Sequence, residues 1–152
     1  MEVFRLTRRK FAEPLTGLGA ALRGARWNSM GVELNYTAEN RSLAMAEVAV
    51  HLSLANLPED FVMLTIEIPD DSAIKEVMHQ DLPLFWNSFP APESTKRIGD
   101  QFVLENKFLV LKIPSVVTKG DFNILINPRH ETFSKVQIKQ IEGFPFDQRL
   151  FK

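Results

Sequence analysis

Short blocks of hydrophobic and polar residues predict most of the strands. Residues 61–68, 108–113 and 122–126 are nearly continuous apolar runs, which are typical of buried strands, and residues 2–6 form a shorter one. Val32, Leu34 and Tyr36 alternate with polar residues, the period of a half-buried strand. Residues 136–142 alternate imperfectly, which indicates an edge strand. The pattern therefore predicts several short strands.

A helix is predicted over residues 42–54. Its apolar residues run all the way round a helical wheel, so we expect it to be deeply buried. Asn40 or Ser42 is suited to cap its start, and Pro58 follows its end as a stop signal. One carboxylate, Glu47, interrupts this apolar segment.

A second helix is predicted from a cap at Ser94 to about residue 105, with Ile98 and Phe102 on its inner face. Residues 13–31 contain four glycines and little periodicity, so a loop or broken helix is expected there. Residues 74–84 are ambiguous, and the Pro-rich segment 83–92 is a predicted loop.

The composition indicates one folded domain. With 152 residues, 45% of them hydrophobic, the chain can bury a core without a disulfide or metal. No repeat, linker or low-complexity segment divides it, and strands mix with helices along its length. We predict an α+β fold, a small mixed sheet with buried helices, in one domain that spans residues 1–152.

Charge and residue usage narrow the function classes. Eighteen basic and nineteen acidic residues argue against direct nucleic-acid binding, and the run Arg8, Arg9, Lys10 is better explained as a solvated surface patch. The absence of cysteine excludes disulfides and thiolate chemistry and fits a cytoplasmic protein. No apolar window approaches the roughly 18 residues of a membrane span. The three histidines are scattered, so no metal site is expected.

Glu47 needs a partner if its helix is buried, and Arg26 and Tyr36 lie on the segment before it. The three side chains can converge in one cleft. An Arg26–Glu47 ion pair, or a contact from Glu47 to His51 along the helix, would instead serve only packing. Spacing alone favours the packing interpretation.

Ser115 follows Pro114 at the end of a predicted strand, where loops often carry functional groups. A turn residue or helix cap is the simpler interpretation. Since no G-x-S-x-G elbow is present, serine hydrolase chemistry is not expected.

Four segments in order carry a resemblance to a known family: VFRL, GARWNSMGVELNYTAENRSLAMAEVAVHL, LVLKIPSVVTKGDFNILINPRH and FPFDQRLF. Together they resemble the RES-domain family, toxins of toxin–antitoxin pairs whose antitoxin carries an Xre-like helix-turn-helix. The resemblance covers almost the whole chain, from Val3 to Phe151.

The resemblance implies a fold like that of the ADP-ribosyltransferase toxins and an activity that consumes NAD+ as a substrate, with no cofactor. It places the catalytic residues at Arg26, Tyr36, Glu47 and Ser115. Substrate binding is implied for Arg26, Tyr36, Arg5 and Asn127.

The expected reaction is cleavage of the nicotinamide–ribose bond by hydrolysis or phosphorolysis. ADP-ribosyl transfer to a protein and a non-catalytic partner-binding module remain alternatives. The resemblance further implies an Xre-like antitoxin partner that performs any DNA contact, and it leaves self-association into a homo-oligomer open.

Overall fold

A mixed, seven-stranded sheet forms the centre of the protein. A computed structural model describes residues 1–151. The strands are β1 (Glu2–Arg8), β2 (Asn35–Ala38), β3 (Phe61–Glu67), β4 (Ile74–Glu76), β5 (Val110–Pro114), β6 (Phe122–Ile126) and β7 (Gln137–Gly143). They lie in the order β4-β5-β6-β2-β1-β3-β7, and all neighbours are antiparallel except β4 and β5. The α+β prediction is confirmed.

The strand predictions hold in position but not always in length. β6 matches its predicted bounds, and β7 lies at an edge of the sheet, as its imperfect alternation indicated. β2 begins only at Asn35, because Val32 and Leu34 belong to the preceding loop. The ambiguous segment 74–84 contains the short edge strand β4 and one turn of 3-10 helix, His79–Asp81.

Within residues 1–151, three α-helices accompany the sheet: α1 (Leu18–Arg23), α2 (Arg41–Ala49) and α3 (Glu93–Glu105). Asn40 caps α2, since its side chain accepts a hydrogen bond from the main-chain N–H of Leu43 at 2.7 Å. The expected deep burial of this helix is wrong, and it ends at Ala49 rather than near residue 54. Only Leu43 and Ala44 are buried, because α2 packs on the sheet from one side only.

The predicted cap of α3 is also wrong. The helix begins at Glu93, with Pro92 in the cap position, and Ser94 lies within the first turn. The hydroxyl oxygen of Thr95 lies 2.9 Å from the carbonyl oxygen of Pro92 and 2.7 Å from that of Arg26, and its one proton is shared between these two acceptors. Phe102 is buried on the inner face of the helix, as predicted.

The two faces of the sheet are covered differently. Leu6 and Met63 pack against α2, and Leu125 packs with Phe102 of α3, so both helices lie on one side, the helix face. Residues that alternate with these point to the other face: Val3, Leu64 and Ile124 pack there with Ala12. No helix within residues 1–151 is long and apolar enough to cross a membrane.

The sheet is weakly joined between β1 and β2. These strands share one residue pair, Phe4–Ala38, whereas β1 and β3 share seven pairs and β2 and β6 share four. Beyond Phe4–Ala38 the two strands form no further ladder pairs, so the ladder is interrupted in the middle of the sheet. We call this place the β1–β2 opening.

Candidate active site

Glu47 projects from α2 and is held through one of its two carboxylate oxygens. Its Oε1 accepts a hydrogen bond from the hydroxyl of Ser115 at 2.9 Å and another from Nδ2 of Asn123 at 2.8 Å. Within the described part of the chain, Oε2 accepts no hydrogen bond, and the residue is half-buried. The carboxylate is therefore fixed in orientation while one oxygen stays free.

Ser115 lies directly after β5 and is buried. Its hydroxyl oxygen accepts the main-chain N–H groups of Val117 at 3.0 Å and Thr118 at 3.1 Å. These groups only donate, so the hydroxyl proton is directed to Glu47. Ser115 is thus a turn residue, as the simpler interpretation held, and it also contacts the candidate site.

Asn123 was missed by the sequence analysis. It lies on β6, opposite Ala38 in the ladder with β2, and its side chain is buried on the helix face beside Glu47. One signal was present in the sequence. In the run FNILI, Asn123 occupies a position that alternation points inward with Leu125, and a buried amide requires a polar partner.

Tyr36 lies on β2 and is anchored by its hydroxyl. The phenol donates to Oδ1 of Asn28 at 2.6 Å and accepts the main-chain N–H of Trp27 at 3.1 Å. Burial raises the pKa of the Tyr36 phenol well above its usual value, with a smaller contribution from the charge of Asp100. The phenol therefore stays neutral.

Arg26 holds the Pro-rich loop 83–92. Its Nη1 donates to the carbonyl oxygens of Trp86 at 2.8 Å and Ser88 at 2.9 Å. Burial lowers the pKa of the Arg26 guanidinium; the carboxylate of Glu47 opposes that effect, and the Tyr36 side chain also lies near enough to interact with it. The three residues therefore share one electrostatic neighbourhood.

The packing interpretation of Glu47 is not supported. Among residues 1–151, neither Arg26 nor His51 forms a salt bridge or hydrogen bond with Glu47. His51 is exposed beyond the end of α2. The partners of Glu47 come instead from β6 and from the turn after β5.

Arg5 lies on β1, next to the Phe4–Ala38 pair and beside the β1–β2 opening. Along the strand it shares a face with Val3 and points away from Leu6, which packs against α2. Burial lowers the pKa of its guanidinium, which makes no hydrogen bond or ion pair within the described residues. The structure brings Arg5 to the opening without a contact to Glu47.

Asn127 requires a correction, because the structure does not bring it to the other site residues. It follows β6 at the end away from Asn123, about 13 Å along the strand. Its side chain is fully buried, donates to Oδ1 of Asn106 at 2.8 Å and accepts the N–H of Arg129 at 3.0 Å. These contacts tie two loops together and leave the amide no access to a substrate.

Comparison with protein families identifies the family of the chain. The family model described as RES domain matches residues 2–147. The chain belongs to the RES domain family. This RES domain is 38% identical over 152 residues to Toxin Res of Yersinia enterocolitica, covering 99% of both chains. It is 32% identical over 143 residues to the Prs ADP-ribosylating toxin of a Sphingobium strain, covering 93% of this chain and 89% of the relative.

A solved structure has the same fold. The RES domain superposes on a chain in the crystal structure of the M. tuberculosis MbcT–MbcA toxin–antitoxin complex with a TM-score of 0.75. The match covers 99% of this chain and 86% of that chain at 17% sequence identity. At this identity the likeness establishes the fold alone.

Proposed function

We propose that this RES-domain protein is the toxin of a toxin–antitoxin pair and that it degrades NAD+ by cleaving the nicotinamide–ribose bond. The first part is supported by relatives named Toxin Res that match almost end to end. The second part is carried by Glu47, whose Oε1 is held by two donors while Oε2 has no hydrogen-bond partner among residues 1–151. NAD+ is the substrate in this proposal, and no cofactor is involved.

Glu47 is assigned to the ribose. Cleavage of the nicotinamide–ribose bond passes through an oxocarbenium-like state, and hydrogen bonds to the sugar 2-OH strengthen in that state. A fixed carboxylate oxygen also offsets the positive charge that develops on the ribose. Nicotinamide leaves as a neutral group, so the reaction needs no strong general acid.

Ser115 and Asn123 are assigned to the positioning of Glu47. Both donate to Oε1, so the carboxylate cannot rotate without breaking two hydrogen bonds. A preorganised charge avoids reorganisation during the reaction, which is where much of the catalytic advantage of such groups arises. This positioning role replaces the catalytic role that the resemblance implied for Ser115.

Arg26 is assigned to the pyrophosphate and Arg5 to an anionic group of the substrate at the β1–β2 opening, since the two arginines lie toward opposite faces of the sheet. Only Nη1 of Arg26 donates to carbonyl oxygens of the loop 83–92, so the other guanidinium nitrogens can bind an anion. Arg5 is a desolvated cation without a protein partner in residues 1–151, and it lies beside the β1–β2 opening. A desolvated, unpaired cation attracts an anionic ligand strongly.

The partner in this proposal is an antitoxin with an Xre-like helix-turn-helix, which inhibits by covering the NAD+ cleft in the cytoplasm. The fold neighbour comes from a toxin–antitoxin complex, which supports a partner of this general kind. Expression of the chain should arrest growth unless its neighbouring antitoxin gene is expressed with it. Equal growth with and without that gene would contradict the toxin role.

Transfer of ADP-ribose to a protein is the second candidate function. One relative is named an ADP-ribosylating toxin, and transfer shares the first bond cleavage with hydrolysis. The two candidates differ only in the acceptor: water or phosphate in one case, a protein side chain in the other.

The deciding experiment incubates purified protein with labelled NAD+, with and without phosphate and with a cell extract. Free ADP-ribose indicates hydrolysis, a phosphorylated product indicates phosphorolysis, and label on protein indicates transfer. Glu47→Gln should abolish each of these, and Glu59→Gln, at an exposed glutamate, is the matched control. Equal turnover by Glu47→Gln and wild type would overturn the proposal and favour a non-catalytic binding module.

A further inference from the structure

We propose that Asn28 is a positioning residue of the NAD+ site, which accepts the phenol proton of Tyr36 so that Tyr36 meets the substrate with its ring and not with its hydroxyl proton. This inference rests on the function proposed above and concerns how the same site is built. The observation behind it is a closed set of hydrogen bonds around one buried amide.

The surroundings of Asn28 fix the orientation of its amide. One end of the side chain lies 3.0 Å from the carbonyl oxygen of Ala20 and 3.1 Å from those of Ser29 and Val32. Carbonyl oxygens only accept, so this end must be the NH2 group. The other end, which faces Tyr36, is therefore Oδ1.

The direction of the phenol proton follows by elimination. The hydroxyl oxygen of Tyr36 lies 2.6 Å from Oδ1 of Asn28 and 3.1 Å from the main-chain nitrogen of Trp27. Trp27 N–H can only donate, and Oδ1 can only accept. The phenol proton therefore points to Asn28 and is not available to a substrate, which leaves the aromatic ring as the group that Tyr36 offers.

Asn28 also belongs to the turn that carries Arg26. The main chains of Ala25 and Asn28 exchange hydrogen bonds of 3.0 and 3.4 Å across this turn. From α3, the hydroxyl of Thr95 donates to the carbonyl oxygen of Arg26 at 2.7 Å. Asn28 thus links the Tyr36 ring to the Arg26 turn, and its loss should disturb both.

The hydrogen bond can be tested without any substrate, because Tyr36 is the only tyrosine in the chain. Protein labelled with 13C at the tyrosine Cζ gives one NMR resonance that reports ionisation of this phenol. In folded wild type it should stay at its neutral position past the ordinary tyrosine pKa of about 10. Asn28→Ala should let the phenol ionise at lower pH, and Asn87→Ala, at an exposed asparagine, should not.

The proposal is overturned if wild type titrates with an ordinary tyrosine pKa while folded. It is also overturned if a folded Asn28→Ala variant titrates as wild type does. These outcomes do not depend on NAD+ cleavage. If wild-type protein leaves NAD+ intact, the proposed function fails, and the NMR titration still decides whether Asn28 holds the phenol.

The kinetics of NAD+ cleavage test the second part of the proposal, that Tyr36 meets the substrate with its ring. Tyr36→Phe keeps the ring, so kcat should stay within about threefold while KM rises about three- to tenfold, the effect of one neutral hydrogen bond. Tyr36→Leu removes the ring and should reduce kcat and raise KM far more. Asn28→Ala should raise KM without changing the pH dependence of kcat.

A loss of kcat in Tyr36→Phe as large as that in Glu47→Gln would mean that the hydroxyl acts on the reacting atoms, and the proposal would be wrong. Should Asn28→Ala fail to fold, the comparison of Tyr36→Phe with Tyr36→Leu decides the question alone, since both act at the same position.

Discussion

The hydroxyl of Ser115 donates to the carboxylate of Glu47 at 2.9 Å, across 68 residues of chain. The same hydroxyl accepts the N–H groups of Val117 and Thr118, so one small side chain closes a turn and orients an acidic group at once. This link joins the turn after β5 to α2, two elements that are remote in sequence.

Ser115→Ala should weaken catalysis less than Glu47→Gln, because the donor from Asn123 remains. Loss of a hydrogen bond to a charged group predicts a fall in kcat of about tenfold or more. Two turn N–H groups also lose their acceptor, which predicts a stability loss of about 1–2 kcal/mol. Steady-state kinetics and urea unfolding measure the two effects separately. Unchanged kcat in a folded variant would remove Ser115 from the site.

Asn123 provides a second test of how Glu47 is held. Asn123→Ala should lower kcat about as much as Ser115→Ala. Asn123→Asp should lower it further, because a second carboxylate would replace a donor that lies 2.8 Å from Oε1 of Glu47. Asn56→Ala, at an exposed asparagine, serves as control in the same assay. Activity of Asn123→Asp at or above that of Asn123→Ala would contradict this geometry.

Arg26→Lys should loosen the loop 83–92. A lysine is shorter and more flexible than arginine, so its ammonium group would not hold the place of Nη1, the one nitrogen that donates to the carbonyl oxygens of Trp86 and Ser88. Faster amide hydrogen exchange is expected in residues 83–92, together with a higher KM for NAD+. Arg23→Lys, at the exposed end of α1, should change neither. Wild-type exchange rates in this loop would show that the contacts do not restrain it.

Gly99→Ala should be strongly destabilising. A Cβ atom at Gly99 of α3 would lie 1.6 Å from the carbonyl oxygen of Trp27, so the helix or the Arg26 turn would have to move. We expect a loss of about 3 kcal/mol or more in unfolding free energy. Gly19→Ala is the matched control, since nothing lies within 4 Å of a Cβ there and alanine favours the helix α1 by up to about 1 kcal/mol. Similar stabilities for the two variants would refute the close approach.

Asn127→Ala should affect stability and not catalysis. The change leaves the side chain of Asn106 and the N–H of Arg129 without their partner, which predicts a loss of about 1–3 kcal/mol. The kcat and KM per folded molecule should equal those of wild type, because the amide lies away from Glu47. A selective rise in KM would restore the substrate-binding role that the motif suggested.

Much of the fold could be predicted from periodicity, because the buried positions of a strand are occupied mainly by apolar residues. The edge position of β7 and the bounds of β6 were predicted in this way. The partial burial of α2 was not predicted, because apolar residues also occur on protein surfaces. Val50, just after the helix, is 60% exposed. An apolar helical wheel therefore does not determine how many sides of a helix are covered.

The site was predicted in its residue types but not in its contacts. An Arg26–Glu47 ion pair was favoured on spacing, yet Arg26 binds main-chain carbonyl oxygens, which every residue carries and no pattern marks. Asn123 escaped attention because its partner is 76 residues away and only the strand register places the two together. Register and main-chain partners are properties of the folded chain.

At β1 and β2 the sheet divides into two parts, β4-β5-β6-β2 and β1-β3-β7, which are joined by the single ladder pair Phe4–Ala38. A continuous ladder would resist sliding and twisting along its whole length, but a joint of one pair resists them only at that point. Between β1 and β2 that resistance comes instead from side-chain packing, because Leu43 and Ala44 of α2 pack on Leu6 of β1 and Ala38 of β2. Tyr36 lies on β2 and Glu47 is held by Asn123 of β6, whereas Arg5 lies on β1. A ligand that binds all three side chains would therefore also hold the two parts of the sheet together.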